Sequence, residues 1–230
     1  MQLNIKELLD FFDDRKNSHK GDANALITLL GEELNAAIYK HFRKNKVVIL
    51  GESVLPGTNK GNRLDRWIVD KKNNTLFQCE IKNWAASAIG GKQLKSNADD
   101  NEVKQVVEHY WKQQLNNDFS SKINHPSRVT KVLLKMKPPP WCKDISKIEP
   151  LLIYWMPISS DKNKISPLSI VSIESLELPM ITEFPNLYIF SASLYLRQLY
   201  KKGVGQKFVD LDMPLLEHRM EILDKLQNTK

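Results

Sequence analysis

The apolar positions of this chain change period several times. Near its start Ile5, Leu8, Leu9 and Phe12 recur at the spacing of one helix face, which predicts a helix over residues 3–16. Leu26, Leu30, Leu34, Ala37 and His41 share a second stripe and predict a helix over 22–44. The apolar run VVIL predicts a short strand at 47–50, and LPGTNKGN after it reads as a loop by its proline and glycines. RLDRWIVD and LFQCEIK predict two strands, 63–70 and 76–82, joined by a turn at DKKNN. After Gly90 and Gly91 a polar helix is predicted over 101–116, with Val103, Val106, Val107, Tyr110 and Trp111 on its apolar side. VTKVLLKM and PLLIYWMPI predict two more strands around the proline-rich KPPPWCKD. A weaker strand at 168–173, another at LYIF and helices at 192–202 and 214–226 complete the chain.

This order predicts one α/β domain, bordering on α+β, with a central mixed sheet flanked by helices. Residues 22–160 form its expected core, and extra C-terminal strands and helices span 161–230.

Composition adds limits. The 230 residues are 41% hydrophobic and 27% charged, an ordinary globular balance. The longest apolar run, LLIYWM, is far too short to cross a bilayer, so no membrane association is expected. The opening MQLNIKELLDFF interleaves Lys6, Glu7 and Asp10 with its apolar residues and reads as an amphipathic helix rather than a signal peptide. Two distant cysteines, Cys79 and Cys142, imply neither a disulfide framework nor a zinc site, and the expected compartment is the cytoplasm. The net charge of +7 leans toward polyanions such as nucleic acid.

One stretch departs from its surroundings. LFQCEIKNW carries Glu80 and Lys82 inside an apolar strand. Residues two apart share a face, so both charges point one way while Phe77, Cys79 and Ile81 point into a core. Buried charge costs several kcal/mol unless it is paired or holds a metal. The pair is therefore a structural salt bridge or a site. With the turn centred between Lys72 and Asn73, opposed residue numbers sum to 145, which sets Asp65 across from Glu80. Two carboxylates so placed need a positive partner, either Lys82 or a divalent cation, and hard oxygen ligands suit Mg²⁺. On the second helix Glu33 lies at the edge of the apolar stripe and Glu32 points away, so Glu33 is the expected third acid, with a solvated helix residue as the alternative.

These residues resemble the PD-(D/E)xK nuclease superfamily: a helix glutamate, an aspartate on one strand and Glu-x-Lys on the next. Gly31-Glu32-Glu33, Arg63-Leu64-Asp65 and Glu80-Ile81-Lys82-Asn83-Trp84 are most similar to its NERD, or nuclease-related domain, branch. The resemblance covers roughly residues 25–95. Leu64 stands where the superfamily has proline, and the Gly-Glu pair of the branch favours Glu32 where helical phase favours Glu33.

The resemblance implies a restriction-endonuclease-like core and Mg²⁺-dependent cleavage of nucleic acid, DNA in the first place, with Mn²⁺ as a substitute. Glu33, Asp65, Glu80 and Lys82 would be catalytic. Asp65, Glu80 and the Ile81 carbonyl would hold the ion, and Lys82 would orient the attacking water. Lys60, Arg66 and Lys92 would contact phosphates, which position a substrate without reading its sequence; solvated edge positions are their alternative. A homodimer or a partner subunit would suit double-strand cleavage. Two other readings compete: a catalytically silent nucleic-acid-binding or assembly module of the same fold, and an unrelated α/β protein with a buried salt bridge. Trp141 reads as a packed loop residue, with a partner-docking aromatic as the alternative.

Overall fold

The computed structural model describes residues 1–13, 30, 32–50, 64–82, 92–111, 130–142, 144–176, 182–202 and 207–227. The loop at 55–62, Lys60, Gly90, Gly91 and most of the first half of the predicted second helix lie outside them.

Six strands form one mixed sheet: β2 (Val47–Leu50), β3 (Arg66–Asp70), β4 (Thr75–Lys82), β5 (Lys147–Tyr154), β6 (Leu168–Ser172) and β7 (Asn186–Ser191). Their spatial order is β2-β3-β4-β5-β7-β6. β5 runs parallel to both β4 and β7, and the remaining pairs are antiparallel. A smaller sheet pairs β1 (Gln2–Asn4) with β8 (Phe208–Asp210).

Among the described residues five helices accompany the strands: α1 (Ile5–Asp13), α2 (Glu33–Phe42), α3 (Asp100–Tyr110), α4 (Ala192–Lys202) and α5 (Pro214–Gln227). α1, α2 and α4 cover one sheet face, where Ile5, Leu9, Leu34, Ile38, Tyr39 and Leu196 pack with Phe77, Cys79, Ile81, Leu151 and Ile153. On the other face Val103, Val106, Val107 and Tyr110 of α3 pack with Leu152, Tyr154, Leu187 and Ile189. Period-two alternation sorts these residues, and each fully buried Leu or Ile stabilises the fold by about 1.5–3 kcal/mol. α3 starts at a capping box, in which the Asp99 carboxylate accepts from the Glu102 N–H at 2.9 Å and the Glu102 carboxylate accepts from the Asp99 N–H at 2.9 Å.

Two expectations are corrected. Residues 2–4 are not the start of the first helix, because their backbone pairs with β8, and α1 begins at Ile5. VTKVLLKM is not a strand. Residues Thr130–Leu133 form a 3₁₀ turn, and Leu134 to Met136 run on outside the sheet. Both edges of β4 are occupied here, by β3 and by β5. The Gln78 side chain takes the role of a neighbouring strand instead. Its amide donates to the carbonyls of Val132 and Leu134, the latter at 2.9 Å, and its oxygen accepts from the Met136 N–H at 3.1 Å.

His41 on α2 lies with Nδ1 2.8 Å from the Tyr195 hydroxyl. Burial pushes its pKa below the ordinary value, with Asp210 acting the other way. Protonation is thus disfavoured in the folded chain. Stability contributed by neutral His41 is intact above the ordinary pKa and falls as the pH drops through it, because the unfolded chain takes up the proton first. The urea midpoint is expected to fall between about pH 7 and about pH 5, and His41→Gln to flatten that fall.

Candidate active site

The turn joining β3 and β4 sets the geometry. Asp70 accepts from the backbone and side-chain nitrogens of Asn73, at 3.2 and 2.8 Å, and also pairs with Arg43, the residue after α2. Asn74 takes a left-handed conformation, φ 47°, which asparagine tolerates better than most residues. The resulting register runs from Asp70↔Thr75 to Arg66↔Cys79, so opposed residue numbers sum to 145 as expected.

β4 outruns its antiparallel neighbour. Glu80, Ile81 and Lys82 lie beyond the last paired residue of β3 yet remain paired with Leu152, Ile153 and Tyr154 of β5. Asp65, at a bend just before β3, fills the vacated edge: its Oδ2 accepts the Ile81 N–H at 2.7 Å. The N–H and C=O of one strand residue face the same edge, so the Ile81 carbonyl opens on the side where Asp65 sits.

Glu80 and Lys82 share the opposite face from the core residues Cys79 and Ile81. They are 3% and 8% exposed, and the Lys82 Nζ donates to Glu80 Oε1 at 2.6 Å. Two positions back on the same face, Gln78 holds the Val132 to Met136 segment.

The helix acid differs from the expectation. Glu33 does not face this edge. Its two carboxylate oxygens accept the N–H groups of Leu215 and Leu216, each at 2.8 Å, and cap the start of α5. Glu32, the residue before α2, pairs with Arg66 Nη1 at 3.0 Å, and Arg66 also donates to the Asp65 carbonyl at 2.6 Å. The phase argument failed because Leu34 through Tyr39 are all buried, so α2 has no single apolar stripe from which an outward side is measured. Glu33→Ala is expected to cost about 1 kcal/mol as a lost helix cap and to speed hydrogen exchange in the first turn of α5. Unchanged exchange at Leu215 and Leu216 would contradict this role.

The buried Cys79 thiol registers how closely the acids gather. Burial, then the negative charges of Asp65, Glu80 and Glu32, push its pKa well up, against an opposing effect of Arg66. Glu32, Asp65, Glu80, Arg66 and Lys82 thus form one charged group around the projecting end of β4.

The phosphate contacts divide. Arg66, expected as a phosphate contact, is drawn into the Glu32 pair with only a tenth of its side chain exposed, so its alternative as a solvated edge position does not hold. Lys92 is exposed, and its backbone carbonyl accepts from the Tyr110 hydroxyl at 3.2 Å. Lys60 lies outside the described residues.

Among the described residues no group of three or more His, Cys, Asp or Glu side chains is arranged to hold a metal ion. Asp65, Glu80 and the Ile81 carbonyl, the expected ligands, would supply only two carboxylates and one carbonyl. These hard oxygen ligands match the chemistry of Mg²⁺, which keeps several waters and needs few protein ligands.

An ion-pair cluster next to this region was not anticipated. Asp13, at the end of α1, accepts from Arg197 Nη2 at 2.7 Å and from Trp155 Nε1 at 2.9 Å. Arg197 also donates to the carbonyls of Leu94 and Lys95, and the Asp10 carboxylate accepts the Ser96 N–H at 2.9 Å. The chain returning from beyond Lys82 is thereby fastened to α1 and α4. Asp13 sits four residues after Leu9 on the buried side of α1, which is its one sequence signal; Arg197 is 184 residues away.

No protein-family model matches the chain, and no curated protein or solved structure is significantly similar to it.

Proposed function

We propose that this chain is a Mg²⁺-dependent nuclease that hydrolyses phosphodiester bonds of nucleic acid, DNA in the first place. The observation that carries the reading is the Asp65 carboxylate on the Ile81 N–H, which brings an acid from the bend before β3 to the edge of the strand bearing Glu80 and Lys82. Asp65, Glu80 and the Ile81 carbonyl would hold the ion. When bound, Mg²⁺ would polarise the scissile phosphate and lower the pKa of a coordinated water.

The chain's own groups supply the rest. The Lys82 ammonium pairs with Glu80 at 2.6 Å and would offset charge developing on a phosphate. Glu32 holds Arg66, and Arg66 in turn grips the Asp65 carbonyl, which fixes the bend that aims the Asp65 carboxylate. We therefore assign the helix acid of the site to Glu32 in place of Glu33. The net charge of +7 suits a polyanionic substrate. A helix, three antiparallel strands, a helix and a strand parallel to the third also support a restriction-endonuclease-like core.

The test is incubation of the purified protein with supercoiled plasmid, linear duplex, single-stranded DNA and RNA, each with Mg²⁺, Mn²⁺ or EDTA. Cleavage is expected with either metal and none with EDTA. No cleavage of any substrate would favour the second reading, a catalytically silent nucleic-acid-binding or assembly module. One observation favours the remaining reading, an unrelated α/β protein with a buried salt bridge: the Lys82–Glu80 contact is almost fully buried, as a structural ion pair would be.

A further inference from the structure

Among the described residues Trp67 and Trp155 are 1% and 2% exposed and Trp111 is partly buried against the core, whereas Trp141 is 59% exposed. Leaving so large an apolar ring in water forgoes much of its burial energy, and exposed tryptophans concentrate where something else covers them. The expectation that Trp141 is a packed loop residue does not hold.

Its setting is rigid. Trp141 occupies the middle of a 3₁₀ turn, Pro140–Cys142, after three consecutive prolines whose rings fix φ. Cys142 is buried beneath it among Leu64, Trp67, Val69 and Leu76. The Cys142 N–H donates to the Pro139 carbonyl at 2.9 Å, and the Ile145 N–H donates to the Cys142 carbonyl at 3.1 Å. The ring is thus presented on a turn anchored from below, with little entropy left to lose on binding.

The approach to it is basic. Lys135 and Lys137 are both exposed, and Lys135 meets Glu183 only in a solvent-screened pair at 3.1 Å. The same segment is held by Gln78, which shares a β4 face with Glu80 and Lys82. One stretch of chain therefore runs from beside the charged group on β4, past two lysines, to an exposed indole. A rigid aromatic face flanked by cations is the arrangement that takes a stacked base with its neighbouring phosphates. A base in an intact duplex cannot offer its face, so the ligand must carry an unpaired one.

We propose that Trp141, with Lys135 and Lys137, is a stacking platform for an unpaired nucleobase of single-stranded nucleic acid. This deepens the nuclease reading and rests on it only for the choice of nucleic acid as partner. The test is made in EDTA, so that binding is read without cleavage. A labelled single-stranded oligonucleotide and its duplex are titrated into the wild type, Trp141→Phe and Trp141→Ala, following label anisotropy and intrinsic tryptophan emission.

The wild type is expected to bind the single strand with quenched emission. Trp141→Phe keeps binding and loses the part of the quench that the Trp141 ring carries. Trp141→Ala weakens single-strand binding by about ten- to a hundredfold and leaves duplex binding unchanged. Trp141 lies outside the core, so matching thermal melts of the three proteins are expected as the folding control. Wild-type affinity in Trp141→Ala, or equal losses on single strand and duplex, overturns the proposal and leaves the ring to a protein partner. No oligonucleotide binding at all also overturns it. Mg²⁺-dependent cleavage that ignores Trp141 sinks the platform and keeps the nuclease; Trp141-dependent binding without cleavage does the reverse.

Discussion

Lys82→Ala is expected to lower cleavage by about a hundred- to a thousandfold, the scale for removing one charge-stabilising donor. The same substitution takes the Lys82 ammonium away from the Glu80 carboxylate at 3% exposure, and breaking a buried pair costs about 3–5 kcal/mol. Activity and stability would then fall together, which a purely structural salt bridge also forecasts for stability. The double variant Glu80→Gln/Lys82→Met separates the two. It removes both charges at similar volume, so it should recover most of the stability lost in Lys82→Ala while cleavage stays absent. Mg²⁺ should raise the melting temperature of the wild type by mass action and leave that of the double variant unmoved. Full activity in the double variant would end the assignment of Glu80 and Lys82 to the cleavage site. A wild type without any Mg²⁺-dependent shift or cleavage would leave these charges a structural role alone.

Asp13→Ala is expected to destabilise the fold by about 3–5 kcal/mol, because it leaves the Arg197 guanidinium buried without its carboxylate. The Trp155 Nε1 donor loses its acceptor in the same step, and an unmet buried donor costs about 1–3 kcal/mol where no water reaches it. These contributions overlap, so the sum is an upper limit. Urea unfolding of Asp13→Ala, Arg197→Met and the double variant checks this: the double variant should be less destabilised than the two singles added together. Strict additivity would mean that the 2.7 Å contact carries no coupling energy. A loss in Asp13→Ala below about 1 kcal/mol would place this contact among solvent-screened pairs.

Much of the fold was legible because hydrophobic period is a local signal. The strands LFQCEIK and LYIF, and the helices after Ser191 and Met213, fall where their periods place them. The hairpin register was legible as well, since a turn between strands fixes which residues face each other. VTKVLLKM was misread because its β-rich composition says nothing about whether a sheet edge is available, and Gln78 supplies the substitute. β1 was missed because its partner lies about 200 residues away. At the candidate site the shared face of Glu80 and Lys82 follows from their spacing, whereas Asp65 is not paired across from Glu80 but accepts the Ile81 N–H from a bend before β3, which no strand period encodes. The choice between Glu32 and Glu33 depended on where α2 meets β3 and α5, which no periodicity within α2 encodes.

The sheet also fixes an order of assembly. Asp65, Ile81, Glu80 and Lys82 meet through a single tight turn, and a hairpin of that kind closes in about 1–10 μs. The parallel strand β5, which covers the other edge of β4, joins only after residues 83–146 have been bridged. Closing a loop of that length must be compensated before its contacts form, and non-local parallel pairing is slow. The charged cluster therefore exists as a half-exposed hairpin before it has a core beneath it. During that interval the edge of β4 later taken by β5 is an open template for a second chain, so refolding yield should fall as protein concentration rises.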